Sequence, residues 1–116
     1  MITEEQFTKA MREAVAERGP DFVYPEEWRN ENGSCRYSLE DGSPACLIGL
    51  ALHKIDPDLV PGVENFQSAD VVVDFAGAPM DVAQAARDAQ YIQDHDGTWG
   101  DALRIYEDWL GTDNGQ

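Results

Sequence analysis

Few residues of this sequence can act as nucleophiles or metal ligands: Cys35, Cys46, His53 and His95, with acids beside both histidines. Cys35 and Cys46 stand eleven positions apart. Facing each other across a turn, they would close a loop of about a dozen residues and add at most ~3 kcal/mol. In a reducing cytoplasm they stay thiols, and two cysteines make no secreted disulfide framework. The favoured reading is two small apolar side chains in the interior. Cys46 and His53 fall on one helix face about two turns, or ~10.5 Å, apart, too far for proton transfer from nucleophile to base. Cys35 with a histidine stays open, although nothing in the pattern favours it.

His53 with Asp56 and Asp58 brings three ligand types into six residues, and His95 lies between Asp94 and Asp96. Asp94-His95-Asp96-Gly97 looks like a fragment of a calcium loop, yet the further oxygens and terminal Glu of such a loop are missing. Glu26-Glu27, Glu40-Asp41 and Glu107-Asp108 are sequence neighbours, which point ~100° apart on a helix and build no acid–base pair. There is no phosphate-cradling glycine loop, His-Glu-x-x-His, nucleophile elbow or basic aromatic patch. No catalytic, cofactor-binding or metal residue is expected, no cofactor, and no enzyme. The alternative is a small thiol- or metal-dependent protein using Cys35, Cys46 and His53.

The elements that would hold these groups are mainly helical. Thr3 and Gln6 make a capping box, and Ile2 and Phe7 a hydrophobic staple across it. Phe7, Ala10, Met11, Ala14 and Val15 continue as an apolar stripe until Gly19-Pro20, which predicts a helix from Glu4 to Arg18. Residues 22–24 and 35–38 are short and β-prone, and would pair as a two-stranded ribbon resting on helices. Ser43 as N-cap and Pro44 at the first helical position open a second helix, which Asp56-Pro57 ends. Ala45 to Leu52 is apolar nearly all round, the pattern of a helix at a domain's centre. Gly49 inside it implies close approach of another backbone element.

Ser68 can cap a helix with Ala69, Val72, Val73 and Ala76 inward. Val71-Val72-Val73 also suits a strand; Gly77, at the C-terminal cap position, favours the helix. Asp81 opens an alanine-rich helix with Val82, Ala85, Ala86, Ala89 and Ile92 inward, and with Gln90 and Gln93 placed to bond neighbouring backbone. Thr98 caps a last helix whose stripe is Trp99, Ala102, Leu103, Tyr106 and Leu110. The fold class is thus mainly α (α+β), with four to five packed helices around a buried central helix 44–55 and the short ribbon of 22–24 with 35–38. Residues 1–111 form one acidic domain, and 112–116 a frayed tail.

A chain of 116 residues makes one domain, and 42% hydrophobic content with eleven aromatics excludes a disordered tail. No apolar run approaches the ~18 residues of a membrane span, and no basic-then-apolar leader opens the chain, so a soluble cytoplasmic protein is expected. Eight basic against 23 acidic residues leave a net charge of −15. The acids are spread along the chain and so belong on a folded surface. Such a field repels nucleic-acid phosphate and anionic lipid, and attracts basic protein surfaces. The expected partner is a protein with a basic surface; neither direct nucleic-acid binding nor a membrane is expected.

Asp70, Asp74, Asp81, Asp88, Asp94 and Asp101 recur at spacings that put several on common helix faces. They are the candidate contact residues, with Trp109, off the last helix's inward stripe, as aromatic anchor. An exposed Trp28 would serve the same purpose. A sharper alternative is nucleic-acid mimicry, in which rows of carboxylates imitate phosphates and block a DNA- or RNA-binding protein; DNA carries one charge per ~1.7 Å of axis, so rows are required.

Cys35-Arg36-Tyr37 with Gly42-Ser43-Pro44-Ala45-Cys46-Leu47-Ile48-Gly49-Leu50-Ala51-Leu52 resembles a C-x-Y…G-x-P-x-C-L-I-G signature. Ala89-Gln90, Gln93-Asp94, Gly97, Trp99 and Ala102-Leu103 resemble an A-Q-x-x-Q-D…G-x-W-x-x-A-L signature, lengthened here by His95-Asp96 before Gly97. The two together resemble small proteins of actinobacterial phages and their hosts. That resemblance covers about a third of the chain. It implies a phage or prophage accessory protein, and no activity comes with it.

Overall fold

The computed structural model describes residues 2–28, 39, 43–58, 73–74 and 77–110. Four helices hold the described core: α1 (Glu4–Arg18), α2 (Leu47–Ile55), α3 (Met80–Asp94) and α4 (Trp99–Leu110), with a single 3-10 turn at Glu26–Trp28. Helix α1 packs on α2 and α4, α3 packs on α4, and α2 touches α3. An isolated antiparallel bridge joins Val23 and Thr98. No described helix is long and apolar enough to cross a membrane.

Helix α1 follows its local code closely. Gln6 N–H donates to Thr3 Oγ1 at 3.1 Å and Thr3 N–H to Gln6 Oε1 at 2.9 Å, the reciprocal pair of a capping box. Ile2 and Phe7 are both buried across it. Phe7, Ala10, Met11, Ala14 and Val15 form the buried stripe. Gly19 ends the helix at φ +100°, where a side chain would be strained.

Thr8 also points inward, where its hydroxyl meets Tyr106 Oη of α4 at 2.8 Å. Burial pushes the Tyr106 phenol well up from its usual range. Tyr106→Phe strands the Thr8 hydroxyl and should lower stability by about 1 kcal/mol. The double variant Thr8→Val/Tyr106→Phe should recover most of that loss, because a pair removed together leaves no orphan; urea midpoints at constant slope read both effects.

The start of the central helix departs from the local code. Ser43 and Pro44 are not its cap and first residue. Helix α2 begins at Leu47, and Cys46 is the N-cap, its Sγ accepting from Gly49 N–H at 3.3 Å. Arg18 and Leu39 hold residues 43–45 outside the helix. Leu39 N–H donates to the Ser43 carbonyl, and the Arg18 guanidinium takes the carbonyls of Pro44 and Ala45. The helix therefore runs 47–55 instead of 44–55. Leu47 to Leu52 are all buried, as their composition requires.

Residues 22–24 meet the start of α4. Val23 bridges Thr98, while residues 35–38 lie outside the described residues. This contact serves the N-terminus of α4, whose first N–H groups have no partner within the helix. Trp99 N–H donates to Phe22 O at 2.9 Å, Gly100 N–H to Pro20 O at 2.8 Å, and Asp101 N–H to Thr98 Oγ1 at 3.1 Å. A Cβ on Gly100 would lie 2.9 Å from Pro20 O, so the close approach requires glycine there.

The other two ends use one motif. Ala78 N–H reaches Val73 O and Gly77 N–H reaches Asp74 O, with Gly77 at φ +97°, a Schellman closure of the helical backbone at Val73 and Asp74. The rest of 69–76 lies outside the described residues except for these two. At the end of α3, Gly97 N–H reaches Ile92 O and Asp96 N–H reaches Gln93 O, with Asp96 at φ +68°. Asp tolerates that conformation, so the His95-Asp96 pair that lengthens the sequence signature supplies the cap itself.

Candidate binding groove and the acidic surface

Arg18, at the last turn of α1, sits among three aromatic rings. Its Cζ lies 5.5 Å from the Phe22 ring centre and 5.0 Å from those of Trp28 and Trp99. The rings brace one another: Phe22 meets Trp99 edge-on at 4.7 Å, and Tyr24 meets Trp28 at 5.8 Å. A weakly hydrated planar guanidinium suits such a stack. Burial lowers the Arg18 pKa from its ordinary value without threatening its charge.

In front of this cage opens a groove of about 510 Å³. Arg18, Lys54 and His53 line it with Glu17 and Ser43, and Trp28, Leu39, Pro44 and Leu50 supply apolar surface. Lys54 Nζ lies 2.6 Å from Glu17 Oε1, and that hydrogen bond holds the Glu17 carboxyl below the usual carboxylate range. His53 Nδ1 is buried with no hydrogen-bond partner. The arrangement can hold a group that accepts hydrogen bonds beside a flat apolar body. Sequence reasoning missed this groove, since its walls come from four separate stretches of chain and no local pattern joins them.

The thiol reading rests on Cys46, which is free and fully buried. Burial pushes its pKa up to about 12, against the weaker opposing effect of hydrogen bonds from Gly49 N–H and Gln90. A thiol so protonated is a poor nucleophile and ligand. Cys35 lies outside the described residues. In a Cys35→Ser background the single remaining thiol should react with Ellman's reagent only after denaturant is added; fast reaction in buffer would contradict its burial. His95 stacks on Tyr91 at 4.0 Å between ring centres, and its Nδ1 lies 2.8 Å from Tyr91 O. Among the described residues no three His, Cys, Asp or Glu side chains gather around a common point.

Of the two glutamines, Gln93 bonds backbone as its spacing implied and Gln90 does not. Gln93, fully buried, accepts from Leu47 N–H at 2.9 Å and donates to Asp94 Oδ1 at 2.8 Å. It thereby caps α2 from α3. Gln90 bonds the Cys46 thiol, while its Oε1 has no partner.

The candidate contact residues are distributed as follows. Trp109 is 41% exposed, whereas Trp28 is half-buried in the cage. Met80 and Tyr91, not singled out by sequence, are exposed on α3. Asp74 and Asp81 are exposed, Asp81 in the first turn of α3, where it complements the helix dipole. Asp88 lies 3.6 Å from Arg87, Asp101 lies 2.8 Å from Arg104, and Asp94 receives Gln93. Asp70 is outside the described residues.

Seventeen acids and six basic side chains are described. All six basic groups are engaged within the protein. Lys9 faces Glu13, Arg12 pairs with Glu107, Lys54 with Glu17, Arg87 with Asp88 and Arg104 with Asp101, and Arg18 is caged. Comparison of the chain with protein-family models, curated proteins and solved structures finds no match.

Proposed function

We propose that this chain is a non-catalytic docking module whose acidic surface binds a basic surface of a partner protein. The observation that carries the reading is the internal engagement of every described basic side chain, which leaves a surplus of eleven acids among the described residues. Charge of one sign steers association and raises the on-rate for an oppositely charged partner. Trp109, 41% exposed on α4, offers the aromatic contact that such an encounter needs to persist. An accessory role in a phage or prophage is the biological setting we propose, on the resemblance of the two signatures to small phage proteins.

Mimicry of nucleic acid has less support. Asp88 and Asp101 each face an arginine, which interrupts a row of bare carboxylates, and Asp101 lies on a different helix from Asp81, Asp88 and Asp94.

Binding of a partner captured from host lysate, then purified, tests the reading. Raising salt from ~0.1 M to ~1 M shortens the Debye length from ~10 Å to ~3 Å, so affinity should fall by well over tenfold. A partner that stays bound unchanged at the higher salt would remove charge as the basis of docking.

A further inference from the structure

We infer that the groove between the end of α1 and helix α2 is a binding site for a small organic monoanion, a carboxylate carried on a flat apolar body. Its walls sort by chemistry. Arg18 and Lys54 bring two positive charges and Glu17 one negative, so the lining is formally singly positive with His53 neutral. That matches one carboxylate and not a dianion, which the surrounding protein of net charge −15 also disfavours. At physiological salt the Debye length is ~8 Å, so the cations in contact with a ligand outweigh carboxylates farther off.

Two nitrogen groups remain for a ligand to satisfy. The Arg18 guanidinium has five N–H donors. Two of its nitrogens each reach a carbonyl, Nη1 to Ala45 O and Nη2 to Pro44 O, which leaves N–H donors on a side chain that lines the groove. His53 also lines the groove, and its Nδ1 has no partner in the free protein. Trp28 and Leu50 then offer apolar surface for the ligand's body, and a volume of about 510 Å³ lies within the range of small-molecule sites. Glu17 is the competitor: its carboxylate already occupies Lys54 at 2.6 Å, in the manner a bound carboxylate would.

The probe is naphthoate, with uncharged naphthamide and inorganic phosphate as comparison ligands, followed by calorimetry and by the Trp28 indole signal in heteronuclear NMR. Naphthoate should bind and shift Trp28, and the amide and phosphate should bind at least about tenfold more weakly. Lys54→Met should weaken naphthoate about tenfold, the loss of one charge-assisted hydrogen bond. Glu17→Gln should act in the opposite sense and tighten it about three- to tenfold, because it frees Lys54 and raises the local positive charge. Opposite signs from two members of one ion pair are not what a merely structural role produces; thermal melts confirm that both variants fold. Equal binding of acid and amide, shifts that leave Trp28 untouched, or unchanged affinity in either variant would overturn the assignment. The site is independent of the acidic docking surface, so either can fail alone.

Discussion

Trp99→Ala is expected to lower stability by about 3–5 kcal/mol, the cost of truncating a fully buried large aromatic. Trp99 has no exposed surface, meets Phe22 at 4.7 Å, and forms one wall of the cage 5.0 Å from Arg18. Its removal takes away the transfer energy of the indole, leaves a cavity, and loosens a guanidinium already withdrawn from water. Domains of this size are stable by only ~5–15 kcal/mol, so the loss is at least about a fifth of the total. Trp99→Phe separates ring from N–H. The indole Nε1 is buried without a partner, a group whose desolvation costs ~1–3 kcal/mol, so losing it offsets part of the lost volume. The Phe variant should fall within ~1 kcal/mol of the parent. Urea unfolding at constant slope reads both, and an Ala variant within ~1 kcal/mol of the parent would place the ring outside the core.

Gln93→Leu is expected to cost about 2–3 kcal/mol although the side chain keeps its approximate size and gains hydrophobicity. The reason is the Leu47 N–H. That donor belongs to the first residue of α2, is buried, and reaches Gln93 Oε1 at 2.9 Å. Leucine leaves it unsatisfied, and hydrogen exchange at Leu47 should accelerate with the fall in stability. Gln93→Glu gives the pH signature. A protonated carboxyl can still accept from Leu47, but an ionised one is buried beside Asp94, so burial and like charge raise its folded pKa above the unfolded ~4.3. Such an acid binds its proton more tightly when folded, and the variant loses stability as pH rises from ~4.3 through the folded pKa. A pH-independent Glu variant would mean that this side chain reaches water.

The two positions differ in how far the sequence anticipates them. Burial of Trp99 follows from helical spacing with Ala102 and Tyr106, and Gln93 is legible as a group that bonds nearby backbone. That its partner is Leu47, 46 positions away, is not legible. Ser43 and Pro44 form a sound local start signal, but Arg18 and Leu39 bind the carbonyls of residues 43–45, and the helix begins at Leu47 instead. Residues 22–24 are β-prone, and they do pair, with Thr98 next to a helix N-terminus that needed acceptors. The groove itself was not legible, since Arg18, Trp28, Lys54 and His53 come together only in the fold, and His53 and Trp28 stood out in the sequence for other reasons.

The linear chain determined much of what acts locally: the capping box and stripe of α1, the apolar run of α2, the inward alanines of α3, the stripe of α4, and the sign of the surface charge. Those depend on helical periodicity and on side chains reaching their own backbone. Tertiary structure alone decided which residue caps α2, what 22–24 pairs with, and that Arg18 joins rings from 22, 28 and 99. Each of these is a competition for one donor or acceptor between a near neighbour and a group brought close only by folding, and here the distant group wins because burial makes an unmet partner costly.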